Sequence, residues 1–161
     1  MFLFFLISCT NQNPNIEVLF NESLQELNLP PAQKAHQDIF ISTLPSKEKL
    51  SIQYFAEEDI VYLALNNYMW LDEAKSTSAA TLTITQIAVF NYELIGTKLQ
   101  LNPKSGAIIL AAEMDSEQLN QPILSRNISR ILKQSKALKP RLYAALDTLP
   151  ASTNTKTTAN P

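Results

Sequence analysis

Apolar residues recur along the chain with two periods, and the alternation between those periods sketches the fold. Ile16, Leu19, Phe20, Leu24 and Leu27 fall at helical spacing while Glu17, Glu22 and Glu26 lie elsewhere, which predicts an amphipathic helix that Pro30-Pro31 ends. Three runs of strand character follow, Asp38 to Leu44, Lys49 to Phe55 and Ile60 to Tyr68. In the second, Leu50, Ile52 and Tyr54 alternate with Ser51 and Gln53, the pattern of a strand with one wet face. Pro45-Ser-Lys-Glu48 and Ala56-Glu-Glu-Asp59 are short enough to be hairpin connections, so an antiparallel meander is expected.

The segment Ser78 to Ile95 carries both signals. Thr81 to Thr85 alternates and is rich in β-branched residues, whereas Ile84, Ile87, Ala88, Asn91 and Ile95 align at helical offsets. Its length suits a helix better than a strand, with Gly96 as the C-terminal cap. A hairpin is expected from Lys98 to Ala112, with Pro103 entering the turn and Gly106 at positive φ. Asp115 or Ser116 should then cap a last helix with Leu124, Ile128, Ile131, Ser135 and Leu138 on one face. Pro122 sets off its first turn, and Pro140 is expected to interrupt it before Arg141 to Leu149.

The expected fold is α+β, an antiparallel sheet with helices in the order α-βββ-α-ββ-α. Residues 1–15 form an apolar leader and tether, 16–149 a single domain, and 150–161 a tail of small and polar residues without periodicity. The 134 residues between the ends are an ordinary domain size.

This order resembles the class I type III secretion chaperones and the related YbjN-like domains, over approximately Ile16 to Lys139. The most telling part is Asn91-Tyr-Glu-Leu94 followed by a strand, the turn Asn-Pro-Lys-Ser-Gly and a strand through Ala112; the family's turn often reads Asp-Pro-x-x-Gly. The resemblance implies a protein partner, an extended segment held against sheet and helix surfaces, and commonly a homodimer. It carries no catalytic residues.

A second resemblance lies at the N-terminus. Met1 to Ile7 is apolar, and Leu6-Ile7-Ser8-Cys9 resembles the bacterial lipobox, which implies acylation of Cys9, a tether over Thr10 to Pro14 and a membrane-anchored lipoprotein of a bacterial envelope. No Lys or Arg precedes Lys34, and the run is too short to span a bilayer. An upstream translation start would supply both missing features. Secretion chaperones work in the cytosol, so an unmodified Cys9 goes with a cytoplasmic chaperone and an acylated one with an envelope protein of structural or assembly role.

Composition narrows the chemistry. A net charge of -2 gives no reason to expect nucleic acid. One cysteine and one histidine, Cys9 and His36, leave no intrachain disulfide and no metal site of the usual Cys/His kind. Two glycines, Gly96 and Gly106, cannot build a phosphate-cradling loop, and no cofactor is expected.

No catalytic set is expected either. Glu57-Glu58-Asp59 and Asp72-Glu73 read as solvated turns rather than acid-base pairs, which need enclosure, and His36 has no activated nucleophile in its sequence context. A small hydrolase or ligand-binding protein would require an enclosed pocket with two of these carboxylates. Tyr62, Tyr68, Met69 and Trp70 suit either a partner-binding surface or the core beneath the central helix. Six of the thirteen Lys and Arg residues lie between Arg126 and Arg141, and Arg126, Arg130 and Lys133 form a basic face that suits either water or an anionic surface.

Overall fold

The computed structural model describes residues 15–70, 77–102 and 106–147, with side chains described outside 67–83 and 146–147. Helix α1 (Ile16–Glu26) starts where the Asn15 side chain accepts a hydrogen bond from the Val18 amide. It ends before Pro30-Pro31: Asn28 adopts φ 54°, and the amides of Asn28 and Leu29 donate back to the carbonyls of Gln25 and Leu24. Ile16, Phe20 and Leu24 are buried, as their spacing predicts.

Six strands follow in one antiparallel sheet of order β1-β2-β3-β4-β6-β5. They are β1 (Gln33–His36), β2 (Ile39–Thr43), β3 (Lys49–Phe55), β4 (Ile60–Trp70), β5 (Lys98–Leu101) and β6 (Ala107–Asp115). The expected α-βββ-α-ββ-α order is present with one addition, the short edge strand β1. All four β1 residues are exposed, so no apolar alternation announced it; pairing with β2 defines it. The β2–β3 and β3–β4 turns place Lys47 and Asp59 at φ 69° and 57°, left-handed positions that glycine usually takes.

Residues 77–93 are helical, α2 (Thr77–Glu93), and the chain leaves it through Gly96 at φ 69°. Gly106 also has φ 69°, and the turn between them at 103–105 lies outside the described residues. The last helix, α3 (Gln121–Asp147), corrects two expectations. Asn120 caps it, accepting from the Ile123 amide at 3.0 Å, because Asp115 still belongs to β6 and the Ser116 hydroxyl is bonded to Asp59. Pro140 does not break it; Leu138 and Leu142 on either side are both buried, and their packing holds the helix through the proline.

The helices cover one face of the sheet. Leu50, Ile52, Val61, Leu63, Leu65, Ile108 and Leu110 point there and join Phe20, Leu24, Leu124, Ile128 and Ile131 in a single core. The strand registers place Ser51, Gln53, Phe55, Ile60, Tyr62, Ala64, Ala111 and Glu113 on the opposite face.

Candidate interaction surfaces

Helix α2 contributes Ile87 and Phe90 to the core, with Leu94 packed beside them. On the other side of the helix a second apolar face points outward: Tyr92 is 94% exposed, Ile95 at its end 79%, Ile84 58% and Val89 53%. Ala88 is exposed between them. The helical alignment of Ile84, Ile87, Ala88, Asn91 and Ile95 therefore divides between two faces. A helix apolar on two sides is normally covered on both. Tyr92 and Val89 are the residues that sequence reasoning missed; the signal was the near absence of charge in α2, whose only ionised group is Glu93.

The sheet face that carries no helix among the described residues is the second surface. Tyr62 lies on it, away from α2 and the core, with its hydroxyl hydrogen-bonded to the Gln100 carboxamide. Its ring meets Phe55 edge-on at 6.4 Å. Burial, reinforced by the nearby Glu113 carboxylate and opposed by the Gln100 bond, raises the Tyr62 phenol above its ordinary pKa. Ile39, Ile41, Ile60 and Ile109 are half-exposed on or beside this face, and Ala64 and Ala111 form its floor. Trp70 and Met69 are backbone members of β4 with Tyr68, and their side chains lie outside the described residues.

The carboxylates gather at one end of the sheet without enclosure. Glu58, Asp59, Glu113, Asp115 and Glu117 line an open notch of about 380 Å³. Asp59 is structural: its carboxylate accepts from the Tyr54 hydroxyl at 3.0 Å and from Ser116, tying the β3–β4 turn to the end of β6. Among the described residues no group of three His, Cys, Asp or Glu side chains is placed to hold a metal. His36 is exposed on β1, and Asp72-Glu73 and Cys9 lie outside the described residues. No helix among the described residues is long and apolar enough to cross a membrane.

On α3, Arg126 and Lys133 are exposed, whereas Arg130 is half-buried against the Gly96 turn. Its guanidinium lies where a Cβ on Gly96 would be and donates to Asn127 Oδ1 at 3.1 Å.

No protein-family model matches the chain, and no curated protein matches it. Solved structures share its fold. A chain of the ExsC-ExsE complex superposes with a TM-score of 0.63 at 14% identity, over 81% of this chain and 96% of that one. The HopA1-SchA chaperone-effector complex gives 0.55 at 17% identity, over 76% and 91%. The heterodimeric ExoU-SpcU complex from the type III secretion system of Pseudomonas aeruginosa gives 0.51 at 15%, over 74% and 94%. At these identities the likeness is one of fold, and it is the α+β secretion-chaperone-like fold.

Proposed function

We propose that this domain is a non-enzymatic protein-binding module that holds an extended segment of a partner protein, and that it does so as a homodimer joined through α2. The observation that carries the reading is the outer face of α2, where Ile84, Val89, Tyr92 and Ile95 stand in solvent. A contiguous apolar patch on a helix marks an interaction site. A two-fold axis beside α2 would set the same residues of two copies against each other, which makes the surface self-complementary.

Fold alone does not carry function. The chaperone-effector context of a fold neighbour supports the protein-binding role, and the sheet face that carries no helix among the described residues supplies a surface for it. Phe55 and Tyr62 are the aromatic anchors there, flanked by half-exposed isoleucines, and tyrosine is among the residue types enriched at binding hot spots.

A photo-crosslinking amino acid at Gln53, on that face, tests the role in the cells that make the protein. One discrete crosslinked protein from Gln53 and none from a control position at Glu22 on α1 is the expected result; equal or absent crosslinking at both positions would remove the proposal.

We also propose that Cys9 is acylated and holds the domain to a bacterial envelope membrane, on the strength of Leu6-Ile7-Ser8-Cys9. Mass spectrometry of the native N-terminus decides it. A diacyl or triacyl Cys9 would move the partner search to the envelope, and an unmodified N-terminus would return the domain to the cytoplasm.

A further inference from the structure

Helix α3 contains six cations and no acidic residue before Asp147. Such a helix repels itself unless other elements supply the countercharge. Two of the six are paired with acidic side chains of other elements, and a third, Arg130, is held against the fold by neutral groups. Lys139 pairs with Glu48 at 2.7 Å, Arg141 pairs with Glu93 at 2.8 Å while its guanidinium stacks over Phe90, and Arg130 is folded over Gly96.

Arg126, Lys133 and Lys136 are left. They are exposed, and no acidic side chain pairs with them among the described residues. Their spacing of seven and three puts them on one face of the helix over about 15 Å. Beside the two lysines, a groove of about 590 Å³ between α3 and the end of α1 has Leu27, Leu132 and Ala137 as its apolar lining and Ser129, Lys133 and Lys136 as its polar rim.

We propose that this face of α3 docks on an anionic lipid bilayer. A row of uncompensated cations matches a negative headgroup surface, and lysine stems lie along apolar surface while their ammonium groups reach outward. The groove lining offers apolar contact at headgroup depth. Deeper insertion is not available, since the opposite side of α3 is committed to the core through Leu124, Ile128 and Ile131.

The chain ahead of α1 favours lipid over an acidic protein. Cys9 stands seven residues before Ile16, an extended reach of about 25 Å. Helix α1 is bonded to the start of α3, with the Ser23 hydroxyl donating to the Gln121 carbonyl at 3.4 Å and the Ser125 hydroxyl donating to Glu26. A surface that holds Cys9 is thus within range of Arg126. Glu17 and Glu22 on α1 are repelled by the same surface and restrict the approach to the α3 side.

The choice of lipid over an acidic protein rests on the acylation of Cys9 proposed above, and the test uses the full chain with unmodified Cys9 so that binding through the cations is read apart from the anchor. Binding is measured by co-sedimentation with phosphatidylcholine vesicles with and without phosphatidylserine, at low and high salt. Each cation near such a surface contributes about fivefold in affinity, so the Arg126→Gln, Lys133→Gln, Lys136→Gln variant should bind phosphatidylserine vesicles about a hundredfold more weakly. A control with the same charge change, Lys34→Gln, Lys47→Gln, Lys49→Gln, should bind like the parent, and salt should weaken both. Circular dichroism verifies that each variant is folded. The proposal is overturned by equal loss in the two variants, by binding insensitive to salt or to phosphatidylserine, or by no binding of the parent chain. The apolar N-terminal run is common to all three proteins and cannot produce the difference.

Discussion

Asn91 on α2 pairs with Leu99 on β5 as a neighbouring strand would: the Leu99 amide donates to Asn91 Oδ1 at 2.6 Å, and Asn91 Nδ2 donates to the Leu99 carbonyl at 3.0 Å. β5 is an edge strand, and edges offer unpaired amides and carbonyls to any passing strand. One carboxamide closes that edge at Leu99 and fixes α2 against the sheet. Replacing Asn91 by Ala strands two half-buried backbone groups, and the expected loss is about 2 kcal/mol in urea unfolding together with a greater tendency to aggregate. A loss below about 0.5 kcal/mol would mean that water satisfies Leu99 equally well.

The outer face of α2 makes a prediction about mass in solution. The parent chain should sediment as a dimer, and Tyr92→Glu with Ile95→Glu should sediment as a monomer at the same concentration. Each side chain removed from an apolar interface accounts for about 1.5–3 kcal/mol, counted once per copy, so dimerisation should weaken at least about ten-thousandfold. A monomeric parent chain would refute dimerisation through α2.

Tyr62 predicts a pH dependence. Its folded pKa lies above the ordinary value of 10.0, chiefly through burial, so the folded state binds the phenolic proton more tightly than the unfolded chain does. The stabilisation is therefore complete below about pH 10 and is lost as pH rises from there toward the folded pKa. Tyr62→Phe should lose less stability between neutral pH and strongly alkaline pH than the parent does. Parallel stability curves for the two proteins would assign the alkaline loss to other groups.

Pro140 predicts a gain. It sits inside α3, where it has no amide for the Lys136 carbonyl, and it is exposed, so Pro140→Ala removes no core contact. The substitution should stabilise by about 1–3 kcal/mol, seen as a higher thermal midpoint by circular dichroism. An unchanged or lower midpoint would show that the proline's rigidity matters more than its missing bond.

Much of the fold was legible because its signals are local. Phe20 and Leu24 are core residues by spacing, Leu50 and Ile52 by alternation, and residues 77–93 are helical because a segment of that length overrode the β-branched character of Thr81 to Thr85. β1 was not legible, since four exposed residues become a strand only when β2 lies beside them. Asn120 was hidden as a cap because β6 continues through Asp115 and Ser116 is occupied by Asp59, and neither fact is written within a few residues of the helix.

By itself the sequence determined the α+β class, the element order apart from β1, and the surplus of cations near the C-terminus. These depend on residue type and on spacing within one element. Only the tertiary structure decided which apolar face of α2 stays in solvent, that Tyr62 lies on the side of the sheet away from the helices, and which cations of α3 are exposed and unpaired among the described residues. Lys139 meets Glu48 across 91 positions of chain, and Arg141 meets Glu93 from another helix. Charge and burial are settled by such distant neighbours, and a chain read in order shows the residues without showing who stands beside them.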